Sequence, residues 1–487
     1  MTTVLFATSE VHPLAKTGGL ADVSGSLPPA LRALGYDVRL ILPAYPEALA
    51  RCERLTLVRL LDLPGAPTPV RLLEGTLPGT DVPLYLVDCP VYFDRIGGLY
   101  GDGKGDWPDN AQRFTLFSRA VVALAEGRAG LGWTPEVVHC NDWQTGLVPA
   151  LLTLKGGRPK TVFTLHNLSY QGLFSWSTFV DLGLPMALWS SEGIEFYSQV
   201  SFIKGGLVYS DLLTAVSPTY AREIRTPAFG YGLEGLLRAR ANRLVGILNG
   251  ANYDHWDPQN DTRIPHRYSP TDFSGKAANK AALQRQMVLP VRPNVPLLGF
   301  IGRMVEQKGF DLVLSGLPDL LHHPVQIVVL GSGDKSLEQG LRDLATRFPS
   351  QVAVQVGYNE DLAHLIEAGA DAFVMPSRFE PCGLNQLYSL RYGTLPIVRR
   401  TGGLADTVVD ATPENIASGR ATGFVFEAPT SSALMSTLTR VLDLYHNDYS
   451  AWQQMRKVAM LSDYSWIESA RHYAELYQHA ISGDLDD

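Results

Sequence analysis

Apolar residues in this chain come in short unbroken runs, each ending in glycine or polar residues, rather than in strict alternation. In the first half the runs are TVLFATSE, DVRLILPAY, VPLYLVDCP, EVVHCNDW, TVFTLHN, LLTAVSP and RLVGILNG. Continuous Val, Ile and Leu mark strands buried on both faces, the pattern of a parallel sheet covered by helices. Amphipathic segments of helix length lie between the runs. One helix is predicted over Ser26–Gly35, with Pro28-Pro29 at its start and Gly35 as its C-terminal cap. After Gly250 the alternation restarts with LLGFIGR, VQIVVLGSG, VAVQVGY, ADAFVMPS and TLPIVRR. Two successive doubly wound α/β domains follow from this pattern. Asn249-Gly250 and the polar stretch to Asp261 form the predicted joint, which gives domains over 1–248 and 249–463. The last segment, YSWIESARHYAELYQHA, places Trp466, Ala470, Tyr473, Tyr477 and Ala480 on one helical face, with Ser465 as N-cap. That face reads as core packing.

Composition narrows the picture. A chain of 487 residues is too long for one core, and 45% hydrophobic with 18% charged residues fits a packed globular protein rather than a disordered one. The net charge of −8 and the absence of Lys/Arg runs exclude nucleic acid and anionic membrane surfaces as partners, and suit a neutral partner such as a sugar polymer. Cys52, Cys89, Cys140 and Cys382 form neither a C-x-x-C pair nor a zinc spacing, as expected of reduced thiols in the cytoplasm. The opening MTTVLFATSE has an apolar run of only Val4–Ala7 and no basic lead, so it reads as a first strand and not a signal peptide. No stretch approaches the length of a membrane span. The glycine-rich GGLYGDGKGDWPDN (Gly97–Asn110) reads as a mobile loop, either a lid or plain surface.

Ligands of open α/β sheets bind beyond the C-terminal ends of the strands. The residues predicted at those ends are Lys16 with Gly18 and Gly19, Asp142, His166 with Asn167, Arg303 and Lys308, and Glu380 through Leu384. Together they describe a site for a phosphorylated ligand. The hexapeptide TGGLAD occurs twice, at Thr17–Asp22 and Thr401–Asp406. A Gly-Gly turn lets backbone N–H groups approach an anion, and the helix that follows adds its positive end; a tight strand-to-helix turn needs the same glycines. In GRMVEQKGFD, Arg303 and Lys308 are spaced to clamp a diphosphate without a metal. No Asp/His cluster has metal spacing, and no G-x-x-x-x-G-K-[ST] loop exists. A phosphate repels Glu380, which is better aimed at sugar hydroxyls or a developing cation; the alternative is a helix N-terminal carboxylate.

In combination, KTGGLADV, HCNDWQTG, TLHN, GILNG, GRMVEQKG and FEPCGLNQLY through RRTGGLADTV resemble the bacterial glycogen synthases and plant starch synthases, in order from Ser9 to about Trp466. The resemblance implies the GT-B fold: two Rossmann-like domains facing across a deep cleft, with the last helix (about 464–487) packing back on the first. It implies transfer of glucose from ADP-glucose to the non-reducing end of an α-1,4-glucan, with retention of configuration, no metal and no other cofactor. By the same resemblance Lys16, with Gly18 and Gly19, contacts the donor, Arg303 and Lys308 hold its diphosphate, and Glu380 lies beside the glucosyl group. Asp142, His166 and Asn167 line the pocket from the first domain. Asn249 belongs to the donor set, Tyr358 lies near the adenine, and Cys382, Gly383 and Leu384 cap the sugar or phosphate. Thr401 and Gly402 form a second donor loop. The family often has other residues at Gln144, Ala251-Asn252 and Asn385. Tyr388 stands where many retaining enzymes of this fold carry a second Glu, eight residues after the first, which favours the glycogen and starch synthase branch. The alternatives are a UDP-glucose-dependent enzyme of the same fold and a non-catalytic glucan-binding protein.

Overall fold

The structure, a computed structural model, describes residues 1–154 and 156–483. It divides into two compact units, one of Met1–Asn249 with the chain from Trp466 onward, the other of Gly250–Ser465.

The first unit is built on a nine-stranded sheet. In space its strands run Leu244–Gly246, Leu212–Ala215, Lys160–Leu165, Val137–Asn141, Thr3–Ala7, Asp37–Pro43, Pro83–Asp88, Val70–Thr76 and Thr56–Leu61. The first seven pair in parallel and the last two are added antiparallel. The seven parallel strands are those marked by the apolar runs. Thr56–Leu61, at the sheet edge, reads TLVRLL, an apolar stretch interrupted by Arg59, and most of its residues are exposed, Leu57 and Leu60 among them. A small antiparallel sheet of Leu173–Ser175, Gln199–Ser201 and Glu195–Phe196 lies apart from the main one.

The second unit has six parallel strands in the order Val352–Val356, Gln326–Gly331, Leu297–Ile301, Ala372–Met375, Leu395–Arg399 and Phe424–Phe426. Numbered along the unit, that is 3-2-1-4-5-6, the dinucleotide-fold order, whose direction reverses between the first and fourth strands. In the first unit the reversal falls between Thr3–Ala7 and Val137–Asn141. These two reversal points decide where a ligand can enter each sheet.

The helix expected over Ser26–Gly35 begins earlier, spanning Gly19–Ala33 with Pro28 and Pro29 inside it. Each proline removes an N–H from the helical ladder. The buried face of Leu20, Ala21, Val23, Leu27 and Leu31 holds the helix in spite of that. Its end is as expected: Gly35 is left-handed at φ 90°, Gly35 N donates to Arg32 O at 2.9 Å and Tyr36 N to Leu31 O at 3.2 Å, closing the last carbonyls.

The last helix, Trp466–Ser482, belongs to the first unit. Trp466, Ala470, Tyr473, Tyr477 and Ala480 are all buried. Tyr477 Oη lies 2.7 Å from His139 Nδ1, Ser469 Oγ donates to Leu248 O at 2.7 Å, and Ala474 O accepts from Tyr36 Oη at 3.2 Å. Each fully buried ring is worth roughly 1.5–3 kcal/mol of apolar transfer. Ser465 does not cap this helix with its side chain: its hydroxyl has no hydrogen-bond partner among the described residues, and its N–H donates to Asp463 Oδ1 at 2.8 Å. Residues 484–487 of the expected helix lie outside the described residues. The loop read as mobile is tied down at several points. Tyr100 Oη bonds Ser9 Oγ at 2.7 Å and Glu10 Oε1 at 2.8 Å, and Trp107 Nε1 bonds Gly98 O at 3.0 Å.

Candidate active site

In the second unit, the strands flanking the reversal point deliver the residues expected to carry charge. Arg303 follows Leu297–Ile301 by two positions, and Ser377 and Glu380 follow Ala372–Met375. Lys308 ends a short turn of helix, Glu306–Lys308, after which Gly309 at φ 74° starts the helix Phe310–Leu320. A Cβ at Gly309 would sit 2.2 Å from Pro376 O, so only glycine lets the two strand-end loops approach. A cavity of about 70 Å³ opens here, lined by Gly302, Lys308, Ser377 and Asn385 among others.

Lys308 Nζ is 2.5 Å from Glu380 Oε2, and Ser377 Oγ donates to the same oxygen at 2.9 Å. Glu380 is buried, so its carboxylate is fixed before any ligand arrives. Arg303, by contrast, is exposed, and its side chain makes no hydrogen bond or ion pair among the described residues. The predicted clamp therefore consists of one cation already held by a carboxylate and one still free.

The Glu380 loop rests on the second TGGLAD copy. Gly402 has φ 44°, and a Cβ there would lie 1.9 Å from Glu380 O; one on Gly403 would lie 2.2 Å from Cys382 O. Gly403 N donates to Glu380 O at 3.2 Å and to Pro381 O at 3.1 Å. Thr401, Gly402 and Gly403 are all buried. The glycines of this copy thus serve close backbone packing against Glu380–Cys382. Cys382 is buried, Gly383 is left-handed at φ 75°, and Leu384 precedes the helix Asn385–Arg391. Tyr358 stands 87% exposed beyond the strand Val352–Val356. Tyr388 is buried and stacks on Trp256, ring centroids 4.2 Å apart and 5° from parallel.

In the first unit the reversal point gathers Glu10, Lys16 and Asp142. The first TGGLAD copy starts the helix at Gly19, as the second starts one at Gly402, but its environment is different. Gly18 and Gly19 are exposed, with nothing within 4 Å of a Cβ on either. Thr17 N and Gly18 N donate to Glu10 Oε2 at 2.7 and 2.9 Å, so an internal carboxylate holds the amides expected to meet an anion. Lys16 Nζ pairs with Asp22 Oδ1 at 2.7 Å, largely in solvent, where such a pair adds little.

Asp142 has a left-handed backbone, φ 55°, rare outside glycine and a strain that marks functional positions. Its Oδ1 accepts from His166 N at 2.8 Å. Part of its surface stays open, yet burial strips most of its water and pushes its carboxyl up to about 7, against the opposing pull of the His166 and Asn167 amides. Burial likewise lowers His166 to about 3, so the ring is neutral near pH 7. Asn141 Nδ2 donates to Ala7 O, leaving Asn141 Oδ1 to accept from His166 Nε2 at 2.9 Å. The free lone pair of His166 is then on Nδ1. Asn167 Oδ1 accepts from Ser169, and Asn249 Oδ1 is buried with no partner among the described residues.

The chain matches two family models, that of the starch synthase catalytic domain over residues 3–239 and that of group 1 glycosyl transferases over 286–457. It is 55% identical over 481 residues to glycogen synthase 1 of Methylococcus capsulatus, covering 99% of this chain and 97% of that protein. To the glycogen synthase of Thioalkalivibrio sulfidiphilus it is 55% identical over 482 residues, 98% of this chain and 100% of that one. The chain belongs to the glycogen and starch synthase family.

Among solved structures, the catalytic domain of starch synthase IV from Arabidopsis thaliana, bound to ADP and acarbose, superposes with a TM-score of 0.87 at 33% identity over 99% of each chain. Sucrose-phosphate synthase from Thermosynechococcus elongatus, at 16% identity and a TM-score of 0.61, shares the fold. As a glycosyltransferase of this family the chain has the GT-B architecture of two Rossmann-like units. No helix among the described residues is long and apolar enough to cross a membrane.

Three family-site neighbours were not singled out from sequence: Glu10 under the Lys16 loop, Ser377 on Glu380, and Asn141 on His166. Glu10 was visible as a lone charge closing the apolar run TVLFATSE; Ser377 and Asn141 carry no such mark. Nor does sequence spacing suggest the approach of His255, Glu360 and His364, which folding brings together in the second unit.

Proposed function

We propose that this glycosyltransferase moves glucose from ADP-glucose to the non-reducing end of an α-1,4-glucan, retaining the anomeric configuration. The reading rests above all on the second unit's reversal point, where an unengaged Arg303 and a Glu380-held Lys308 lie beyond the C-terminal ends of two central strands, the place where such sheets bind nucleotides. The likeness to a starch synthase bound to ADP and acarbose supports the same substrates. On this reading Arg303 and Lys308 receive the charge that gathers on ADP as the C1–O bond breaks, and Glu380 faces the sugar. Fixed charges aimed at developing charge are the largest single source of catalysis in many enzymes. Tyr358 takes the adenine, and Cys382, Gly383 and Leu384 take the sugar or phosphate. From the first unit, Lys16, His166 and Asp142 serve the substrates.

Neither Glu380 nor Asp142 is free to act as nucleophile. Glu380 is bound by Lys308 and Ser377, and Asp142 is turned onto backbone amides and half protonated near pH 7. Retention then follows from attack on the face ADP leaves, with the departing phosphate taking the acceptor's proton. The diphosphate's charge is met by side chains, so the reaction needs no metal. All four cysteines are buried, in keeping with work in the cytoplasm.

Radiolabelled ADP-glucose and UDP-glucose, offered separately with glycogen, test the reading. Label is expected to enter glycogen from ADP-glucose. Incorporation from UDP-glucose alone assigns a different donor, and glycogen binding without incorporation from either makes the chain a binding protein.

A further inference from the structure

Glu360 opens the helix Glu360–Gly369, whose N-cap Asn359 accepts from Leu362 N, and His364 lies one turn later on the same face. His255 arrives from a loop 105 residues earlier and sets its Nε2 2.9 Å from Glu360 Oε1. One ligand-type atom from each of His255, Glu360 and His364 lies within 4.8 Å of the others.

The tautomer of His364 is set from behind. Its Nδ1 is 2.8 Å from Asp261 Oδ2, which also accepts from Tyr392 Oη at 2.6 Å. The other oxygen, Asp261 Oδ1, accepts from Arg263 N at 2.8 Å, so the carboxylate is an acceptor toward each of these neighbours; Nδ1 of His364 then donates to it and the lone pair falls on Nε2. That Nε2 is buried, on a side chain with no exposed surface, and has no hydrogen-bond partner among the described residues. Trp256 stacks on the ring at 3.7 Å and 13° and fixes its plane. A carboxylate behind an imidazole whose other nitrogen is unengaged is the support that metal-bound histidines commonly have.

We propose that His255, Glu360 and His364 bind a divalent transition-metal ion, zinc by preference. Two imidazoles and a carboxylate suit zinc rather than magnesium or calcium, which take oxygen ligands. Binding requires the three atoms to close around an ion with bonds of about 2.0–2.2 Å. His255 can make that movement: its side chain is 41% exposed and gives up only its bond to Glu360. Water completes the sphere on that open side. Arg263 lies 3.6 Å from Glu360 Oε2 and also pairs with Asp361, which leaves Oε1 for the metal. The ion would pin the loop after Asn252 to the helix that follows Tyr358. None of its three ligands is among Arg303, Lys308 and Glu380, so the ion is assigned no part in the transfer step.

The test is calorimetric titration of the metal-stripped full chain with zinc, with cobalt as a spectroscopic probe. Wild type is expected to bind one ion and to melt at a higher temperature when loaded. His255→Ala and Glu360→Gln should each weaken binding at least about tenfold, by analogy with the loss seen on removing mere supporting groups. His472→Ala, on an exposed residue of the first unit, should bind as wild type does. His255→Ala removes a half-exposed side chain, so the metal-free variant should melt with wild type, separating lost binding from lost folding. A wild type that takes up no zinc, or a His255→Ala variant that binds it as tightly as wild type, overturns the proposal.

Discussion

Arg303 and Lys308 are cations five residues apart in opposite conditions: one exposed and unengaged, the other tied to Glu380. Because Arg303 supports nothing in the fold, Arg303→Ala should leave the melting temperature unchanged while kcat falls by about 10²–10³, the usual cost of one charge-stabilising group. Steady-state kinetics beside calorimetry check both halves; an active variant removes Arg303 from the clamp. Asp142 gives a prediction with a sign. Its folded pKa, near 7, lies above the ordinary 3.8, so the folded state binds more protons than the unfolded one between those values. Its contribution to stability therefore falls as pH rises from about 4 to 7. Asp142→Asn keeps an oxygen for the His166 amide and loses the titration. Its melting temperature relative to wild type should climb across that window and level off above it; a pH-independent difference contradicts the burial of this carboxyl. Arg303, Lys308 and Glu380 were legible because each sits in a long motif at a strand end. Glu10 and Asn141 act through side-chain contacts that only folding creates, with the nearest partner seven residues away for Glu10 and 25 for the His166 contact of Asn141.

The repeated TGGLAD shows how far one element's sequence determines its use. Both copies start a helix, where the sequence predicted only that a helix follows each, the first from Ser26. One is open and held by Glu10, while the other is buried under the Glu380 backbone, a difference set by neighbours far along the chain. Two substitutions expose it. Gly19→Ala meets open space in a helix's first turn and should leave stability unchanged or raise it by up to about 1 kcal/mol. Gly402→Ala places a Cβ 1.9 Å from Glu380 O at φ 44°, and should cost more than about 1 kcal/mol while displacing Glu380. Calorimetry of the two variants reads the contrast, and equal melting temperatures would contradict it. Elsewhere the parallel strands were legible because burial on both faces writes an apolar run. The edge strand Thr56–Leu61 is exposed although its sequence, TLVRLL, is largely apolar, with Arg59 breaking the run. Pro28 and Pro29 misled because packing of Leu20–Leu31 overrides a local preference.

Across the molecule, each unit presents its chemistry at the point where its own strand order reverses, and it is this topology that turns scattered motifs into two small groups of residues. Strand order cannot be read from the runs themselves, since pairing partners lie far apart in the chain; the long family motifs carried the fold instead. One consequence concerns metals. If Arg303 and Lys308 neutralise the diphosphate, glucosyl transfer well below the melting temperature should continue at full rate in excess chelator, even where chelation strips zinc from His255 and lowers that temperature. Loss of turnover, restored by Mg²⁺ or Mn²⁺, would show the clamp to be incomplete. The claim at the centre is that glucose passes from ADP-glucose to the non-reducing end of the glucan with its anomeric configuration retained. Proton NMR of ADP-glucose and a short maltooligosaccharide with the enzyme follows this directly. The account predicts a new α-1,4 anomeric signal that grows as the donor's α-anomeric signal fades, on a product one glucose longer at its non-reducing end. A β-anomeric product, or consumption of the donor without elongation, would contradict it.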